Sequence, residues 1–549
     1  MHASTDRPAD LVLTGGRVWT ADAARSSAEA IAVRDGRIAG VGPASVVREQ
    51  VGPSTRVVEL HGRMVTPGFG DAHTHPVMSA LTEFRCNLRV TQGRDGYLEV
   101  IARYVAEHPE REWVEGDGWS MPDFPGGTPR REDLDRVTAG KPAFLYNRDG
   151  HGAWVNSAAL ERAGISAETP DPADGRIERD PDGTPSGTLH EGACRLVERL
   201  LPEPTHEEWV ASLRWAIRHF HALGITNWQE ANIQPEYEAA YHALAATGEL
   251  TPRVVGALWW EHERGLEQVP ELVERRAKGH AGRYAPTAVK IVQDGVFENF
   301  TAGMIDPYLS LDGRATDNHG LSFVEPALLN DAVAALDTEG FQVHVHAIGD
   351  RAVREALDAF DVARSRNGRS DHRHHIAHIQ VIHPDDVPRF AELDVVANAQ
   401  ALWAVREAQM DELTIPFLGD VRAGWQYPFR SLRRAGAVLA MGSDWSVSTA
   451  DPMPQLHVAV HRAMPGAEDE PFLPEERLEL QDALAAFTAG SAYVNHLDDA
   501  GVLAPGRLAD LAVLDRDLFD RGSGPIADAR VVATFVDGVA VYEDAALEG

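Results

Sequence analysis

The feature that most limits the fold of this chain is a regular alternation of helical and strand-like segments after about residue 205. The segment HEEWVASLRWAIRHFHALG predicts a helix whose buried face consists of Trp209, Leu213, Ile217 and Phe220. Strand-like runs follow: ITNWQE, PRVVGALWWE, TAVKIVQD, FQVHVHAI, RHHIAHIQ, DVVANAQ and AVLAMGSD. With an earlier run that ends in DAHTH, they make eight β units. Eight repeated β–α units predict an α/β protein with a closed (β/α)8 barrel of parallel strands.

The two ends of the chain differ from this central part. Residues 1–65 and 500–549 contain short strand-like runs separated by Gly-Gly, Asp-Gly and Gly-Pro, a pattern typical of hairpins. We therefore expect one small β-sandwich built from both termini, with the barrel in residues 66–499. The segment from about 85 to 205 is rich in turn residues and lacks the β–α rhythm, which predicts an insertion after the first barrel strand.

Charge and composition exclude several classes of partner. The formal net charge is −33, from 51 basic and 84 acidic residues, and such a field repels nucleic acids and anionic membranes. No apolar run is long enough to span a bilayer, and the first residues do not have the pattern of a secretion signal. Cys86 and Cys194 are the only cysteines, which suits a reducing cytoplasm. These features favour a cytoplasmic protein that acts on a small molecule.

Metal-ligating side chains follow several of the predicted barrel strands. In a parallel barrel the carboxyl ends of all strands meet at one face, and residues at i and i+2 of a strand share a side. The strand ends supply His73 and His75, Lys290, His344 and His346, His374, His375 and His378, and Asp444. Neutral imidazole is the commonest metal ligand among side chains. Although a single His could be a hydrogen-bonded core residue, this combination predicts a metal site.

Lys290 is unusual because it lies inside the apolar run Ala-Val-Lys-Ile-Val, and the chain has only three lysines. Burying an ammonium group is costly unless the group is neutralised or paired with an acid. The alternative is a lysine that extends from a strand end towards solvent. The residues alone leave both open.

Several motifs resemble the amidohydrolase superfamily, in the branch of YtcJ-like proteins and N-substituted formamide deformylases (amidohydrolase family 3). They are VTPGFGDAHTHP, VKIVQDG, HVHAIGDRAV, RHHIAHIQVIHPDDVPRF and GSDWSV, in that order, and GVLAPGRLADLAVLD resembles the superfamily's returning sheet segment. The resemblance runs nearly from end to end of the chain.

The resemblance implies a centre of two divalent metal ions, usually zinc. One ion would be bound by His73, His75 and Asp444, and the other by His346 and His378. Lys290, carboxylated by CO2 to a carbamate, would bridge the two ions. His344 and Gln380 would support the site without binding a metal.

The implied reaction is hydrolysis of an amide-type C–N bond, with Asp444 moving the proton. Three alternatives stay open. The same metals could act on an ester, lactone, cyclic imide or deaminase-type ring carbon, or the barrel could be a degenerate, non-catalytic one. A single-metal variant is also open, in which Lys290 stays uncarboxylated and pairs with an acid such as Asp294. A homodimer is the family-level expectation.

Residues that could contact the substrate are less clearly marked. His151 lies in RDGHGAWVNSAAL, within the insertion, and Glu191 lies in LHEGA. Glu230 ends the second strand, Asp294 follows Lys290, and Trp403 follows the seventh strand. We predict that His151, Glu230, Asp294 and Trp403 line the substrate pocket, with Glu191 as a further candidate acid.

Overall fold

The central element of the computed structural model, which describes residues 7–548, is an all-parallel sheet of eight strands. In chain order they are β1 (Phe69–Thr74), β2 (Ile225–Ile233), β3 (Arg253–Trp259), β4 (Tyr284–Val292), β5 (Gln342–Ala347), β6 (His375–His378), β7 (Val396–Ala399) and β8 (Leu439–Met441). Each strand pairs with the next. The ends of the sheet meet where the Asp444 N–H donates to the His73 carbonyl at 2.8 Å. The prediction of a (β/α)8 barrel is confirmed.

Helices alternate with the barrel strands and cover their outer faces. Over the described part of the whole chain, with the terminal domain and the insertion included, the α-helices are Ala44–Val47, Pro76–Leu81, Arg94–Glu107, Arg131–Asp135, Ser157–Ala163, Arg195–Glu198, His206–Ala222, Pro235–Thr247, Val269–Gly279, Pro326–Thr338, Asp350–Asn367, Val387–Glu392, Ile415–Ala423, Phe429–Arg434, Pro452–His461, Leu480–Ala485 and Ser491–Val494. Strands β5, β6 and β7 are buried along their whole length, as expected of parallel strands covered on both sides. Within residues 7–548, none of these helices is both long and apolar enough to cross a membrane.

The helix His206–Ala222 shows how the sequence sets one of these elements. Its first turn is closed by a capping box, because the Thr205 hydroxyl accepts from the Glu208 N–H at 3.2 Å while the Glu208 carboxylate accepts from the Thr205 N–H at 2.8 Å. The apolar positions predicted from the sequence form its buried face. The helix ends at Ala222, two residues before Gly224, which adopts a positive φ of 80°.

Replacing Thr205 by Ala is expected to lower the free energy of unfolding by about 1 kcal/mol, because the Glu208 N–H loses its acceptor at an exposed helix start. The measurement is the midpoint of urea denaturation. Thr205→Ser keeps the hydroxyl and serves as the control. If Thr205→Ala and Thr205→Ser unfold at the same midpoint, the cap does not stabilise this helix.

The two ends of the chain together form a mixed sheet of eight strands. These are Leu11–Trp19, Ser27–Arg34, Arg37–Gly42, Arg56–Glu59, Met64–Pro67, Leu511–Leu514, Val531–Val536 and Val539–Glu543. The strand Met64–Pro67, which leads into the barrel, pairs antiparallel with the returning strand Leu511–Leu514. Leu13, Val65 and Val513 are fully buried in the core of this sheet. This sheet is consistent with the predicted β domain built from both termini.

Between β1 and β2 the chain forms a third sheet, of six strands, with a core of its own. The strands are Cys86–Asn87, Val114–Trp119, Ala143–Asn147, Gly152–Val155, Gly175–Arg179 and Pro185–Glu191. Trp119, Phe124 and Trp154 pack edge to face, with ring centroids 5.1 to 6.4 Å apart. The predicted insertion after the first barrel strand is confirmed, and its hairpin between Ala143–Asn147 and Gly152–Val155 carries His151.

Candidate metal centre

The first part of the site joins the ends of β1 and β8. His73 is the fifth residue of β1 and His75 follows that strand, while Asp444 follows β8. The Nε2 atoms of His73 and His75 lie 3.3 and 3.2 Å from the same oxygen, Oδ1 of Asp444. Ligand atoms of the three residues all lie within 4.8 Å of one another, which is close enough to surround one ion.

The second part lies at the ends of β5 and β6. His346 and His378 face each other with ring centroids 4.3 Å apart, and Nδ1 of His378 lies 3.7 Å from Oδ2 of Asp444. Asp444 therefore stands between the two groups of histidines. The ring of His378 also stacks on Trp403 at 5.3 Å with the planes 3° apart, which fixes the orientation of the imidazole.

Lys290 lies in β4 and its side chain is buried, with 3% of the residue exposed. Burial lowers the pKa of its ammonium group to about 7, although the negative charge of Asp444 opposes the change. In the sheet, Lys290 is paired with His344 of β5, two positions before the pair formed by Val292 and His346. The lysine thus lies inside the barrel rather than extending to solvent.

The chemistry of these side chains fits a metal ion. Within the part of the chain that the structure describes, Nδ1 of His75, Nδ1 of His378 and Oδ1 of Asp444 are buried and make no hydrogen bond, which is costly unless another partner is bound. Burial lowers the pKa of His346 and His378 well below the ordinary value, so both are neutral and carry a lone pair. Burial would raise the pKa of Asp444, but His73 and His75 hold it well below its usual range.

His344 lies one layer deeper in the barrel. Its Nε2 atom is 2.7 Å from Nδ1 of His73, and its ring lies 3.9 Å from that of His375, centroid to centroid, with the planes tilted by 37°. His375 is in turn bonded to Gln229 at 3.0 Å and Asn398 at 3.1 Å. The structure thus places His344 where it fixes the ring of His73, and its supporting role stays a prediction.

Asp71 is a buried acid beside the site that the sequence motifs do not single out. Its carboxylate accepts from the Ser443 hydroxyl at 2.5 Å, the Ser443 N–H at 2.9 Å and the His73 N–H at 3.2 Å. These bonds tie β1 to the segment that carries Asp444. Burial raises the pKa of Asp71 to about 7. The signal in the sequence is a lone acid within the apolar strand Phe69–Thr74.

Two predicted residues have other partners. The side chain of Gln380 donates to Oε1 of Gln426 at 3.1 Å and forms no hydrogen bond with the clustered histidines. The carboxylate of Glu230 accepts from the Tyr241 hydroxyl at 2.9 Å and the Val77 N–H at 3.3 Å, between β2 and the helix layer. Burial raises the pKa of Glu230 to about 8. The structure does not bring Glu230 to the cluster.

Asp294 lies beside the cluster but is occupied by the backbone. It accepts three N–H groups, from Gly303 at 2.8 Å, Gly349 at 2.9 Å and Ile348 at 3.0 Å. Its Oδ1 atom is 3.6 Å from Nε2 of His346. Asp294 thus joins the loops after β4 and β5 and lies next to a predicted ligand; substrate contact stays a prediction.

His151 comes to the cluster from the insertion. Its ring lies 5.7 Å from that of His346, centroid to centroid, and its Nδ1 atom is 2.8 Å from Oε2 of Glu191. Burial would lower the pKa of His151, but the Glu191 carboxylate raises it to about 9. Of the predicted substrate-contacting residues, His151, Asp294 and Trp403 are therefore next to predicted metal ligands.

Asp337, His372 and His374 form a second histidine–carboxylate group, close enough to hold an ion. However, Nδ1 of His374 accepts from the Val343 N–H at 3.0 Å, so the hydrogen of the neutral ring is on Nε2, which faces Oδ1 of Asp337 at 3.1 Å. That nitrogen has no lone pair for a cation. Asp337, His372 and His374 are therefore joined by hydrogen bonds and do not form a metal site.

A (β/α)8 barrel with histidines, a lysine and an aspartate converging at the carboxyl ends of its strands is the construction of a metal-dependent hydrolase. The sequence matches the profile of the amidohydrolase family over residues 56–542, so this chain belongs to that family. The resemblance found in the sequence motifs is confirmed.

Two relatives align over nearly the whole chain. The chain is 30% identical to Protein LONG AFTER FAR-RED 3 of Arabidopsis thaliana, over 97% of this chain and 92% of that protein. It is 29% identical to N-substituted formamide deformylase of Arthrobacter pascens, over 97% and 98% of the two chains. The sequence similarity to both relatives therefore extends well beyond the barrel segment.

Solved structures show the same fold. An uncharacterized metal-dependent hydrolase of Pyrococcus horikoshii superimposes with a TM-score of 0.72 at 24% identity, covering 92% of this chain and 97% of the other. Atrazine chlorohydrolase TrzN of Arthrobacter aurescens, in complex with zinc, superimposes with a TM-score of 0.55 at 17% identity over 97% and 95%. At these identities the likeness concerns the fold alone.

Proposed function

We propose that the protein hydrolyses an amide-type C–N bond, in an N-substituted formamide or another N-acyl amine, with the help of two divalent metal ions, zinc being the expected metal. The observation that carries the proposal is the convergence of His73, His75 and Asp444 on one point, with His346 and His378 beside it. The full-length similarity to an N-substituted formamide deformylase supports the choice of bond.

The donor set divides into two groups. His73, His75 and Asp444 would hold one ion, and His346 and His378 the other. Bound divalent ions lower the pKa of water and polarise a carbonyl group, which is the chemistry that amide hydrolysis needs. The neutral imidazoles and the ionised carboxylate described above are in the protonation states that such ions require.

Lys290 is proposed to carry a carbamate between the two groups. Carbamate formation joins an uncharged amine to CO2 and releases one proton, and burial shifts Lys290 towards the uncharged amine. The product is an anionic oxygen ligand in place of a buried cation, which removes the cost of an ammonium group inside the barrel.

The chain's own groups account for the proton movement. Asp444 is buried and ionised, so it can take a proton from the attacking water and pass it to the leaving nitrogen. Nε2 of His344 is bonded to Nδ1 of His73, and the ring of Trp403 stacks on the ring of His378. These contacts fix the geometry before the substrate binds.

The Lys290→Ala variant is expected to lose most of its metal and its amidase activity, because the bridging oxygen ligand is removed. The measurement is metal content per chain by mass spectrometry, after growth with zinc and bicarbonate, beside turnover of N-benzyl and N-alkyl formamides. Lys278→Ala is the matched control, since that lysine is 74% exposed and pairs with Glu274 on the helix surface.

About two metals in the wild type and in Lys278→Ala, with loss in Lys290→Ala, would support the bridged centre. One metal or none in an active wild type, unchanged by Lys290→Ala, would contradict the bridging lysine. Esters, lactones, cyclic imides and amino-substituted heterocycles complete the substrate panel. Turnover of one of these, without turnover of any amide, would reject the proposed bond.

A further inference from the structure

The hairpin of the insertion places one imidazole beside the clustered histidines. His151 lies between the strands Ala143–Asn147 and Gly152–Val155, and its ring is 5.7 Å from that of His346. Nδ1 of His151 is bonded to Glu191, whereas Nε2, on the other side of the ring, has no hydrogen-bonding partner in the protein within residues 7–548. The His151 side chain is 22% exposed and lies beside the clustered histidines, so its Nε2 atom is available to bind a ligand.

Glu191 holds His151 by both its side chain and its backbone. The carboxylate oxygen Oε2 is 2.8 Å from Nδ1 of His151, and the Glu191 N–H donates to the His151 carbonyl at 2.9 Å. Glu191 adopts a positive φ of 50°, which is uncommon for a residue with a side chain. The double attachment fixes both the position of the hairpin and the orientation of the ring.

The loop after β4 holds the other carboxylate oxygen of Glu191. The Thr301 hydroxyl donates to Oε1 at 2.7 Å and the Asn299 amide donates to it at 3.3 Å, while the same amide donates to the His151 carbonyl at 2.9 Å. The backbone of Gly295 passes so close that an added Cβ would lie 2.5 Å from Oε1. The Glu191 side chain is 6% exposed and both of its oxygens are bonded to protein groups, so Glu191 would act on a substrate indirectly, through groups that it holds, His151 among them.

We propose that Glu191 is a positioning residue, which holds His151 so that the free Nε2 of its ring hydrogen-bonds the carbonyl oxygen of the substrate amide. The inference rests on the proposed function. A donor fixed in advance beside the carbonyl stabilises the negative charge that develops on oxygen during attack. The Glu191 carboxylate favours the protonated imidazole, in which both ring nitrogens donate.

The same sheet contains a second carboxylate–imidazole pair, which provides a control. Nε2 of His190 lies 3.1 Å from Oε1 of Glu178, and Glu178 is also bonded to Arg176. His190 is buried, with 1% exposure. Because this pair connects neighbouring strands of the insertion, Glu178→Gln tests what the loss of a glutamate from a carboxylate–imidazole pair does to the sheet itself.

The kinetic test compares Glu191→Gln, His151→Ala, the double variant and Glu178→Gln on the best amide of the panel. For Glu191→Gln we expect kcat to fall about 10- to 100-fold with KM within about twofold and unchanged metal content. For His151→Ala we expect a fall of about 100-fold or more. The double variant should be no slower than His151→Ala, because Glu191 acts through that ring. Glu178→Gln should match the wild type.

A binding test separates this inference from the proposed function. Formate and benzoate are titrated calorimetrically into each zinc-loaded variant, which needs no turnover. We expect about tenfold weaker binding of these oxyanions in Glu191→Gln and His151→Ala than in the wild type and Glu178→Gln. Inactivity of the wild type on every amide, with this pattern intact, would reject the proposed function alone. Equal oxyanion affinity in all four proteins, or additive effects in the double variant, would overturn the role of Glu191.

Discussion

Replacing Asp444 by Asn is expected to lower kcat for amide hydrolysis by about 10³- to 10⁴-fold, while KM changes by less than about fivefold. The carboxylate is buried between the histidines of β1 and β6 and stays ionised because His73 and His75 lower its pKa. An amide of the same shape keeps an oxygen ligand but cannot take up a proton. The measurement is steady-state kinetics beside metal content.

The control for this variant lies in the same segment. Asp451 caps the helix Pro452–His461 by accepting from the Met453 N–H at 2.9 Å, and Asn is an equally good cap. Asp451→Asn is therefore expected to keep wild-type kinetics. If Asp444→Asn retains its metal and more than about a tenth of the wild-type kcat, Asp444 is not the proton carrier and the mechanism must use another base.

The convergence of the predicted metal ligands could be inferred from the sequence, because two regular features of a parallel barrel determine where these side chains lie. Side chains alternate along a strand, so His344 and His346 share one side, and parallel strands all end at the same face of the barrel. The structure brings His73, His75, His346, His378 and Asp444 together there. The sequence pattern does not tell which of His344 and His346 binds the metal, because that depends on how deep each residue lies in the barrel. The depth of a residue depends on the stagger between neighbouring strands.

Glu230 shows how a shift of one residue along a strand turns a side chain to the other face of the sheet, where it no longer reaches the site. Trp228 and Glu230 lie on the same side of β2, and the Trp228 ring packs on Phe220 of the outer helix layer at 5.1 Å. The intervening residue, Gln229, points inwards and contacts His375. An aromatic residue two positions before an acid is thus a sign that the acid faces the helices, and the prediction for Glu230 rested only on its place at the end of the strand.

Contacts that join distant parts of the chain could not be predicted from local patterns. Glu191 meets His151 across 40 residues of the insertion and Thr301 across 110 residues. Asp71 meets Ser443 across 372 residues, at the seam where the barrel closes. These contacts form within the insertion, between the insertion and the loop after β4, and at the barrel seam, and neither strand period nor helix period carries that information.

Asp294 connects the two loops that carry the outer part of the site. One carboxylate oxygen accepts from Gly303 and Gly349, and the other accepts from Ile348. Gly349 has no space for a side chain, since an added Cβ would lie 2.2 Å from the Gly303 carbonyl oxygen. The loops after β4 and β5 therefore lie in direct backbone contact, with the carboxylate as the shared acceptor of their N–H groups.

Replacing Asp294 by Ala is expected to lower the free energy of unfolding by about 3–5 kcal/mol, because three buried N–H groups lose their acceptor at once. The measurement is the midpoint of urea denaturation, followed with and without zinc. Asp312→Ala is the control, since this exposed aspartate lies in the same long loop and its loss should cost less than about 0.5 kcal/mol. If both variants unfold at the wild-type midpoint, water replaces the carboxylate without cost. Asp294 would then be available for contact with the substrate.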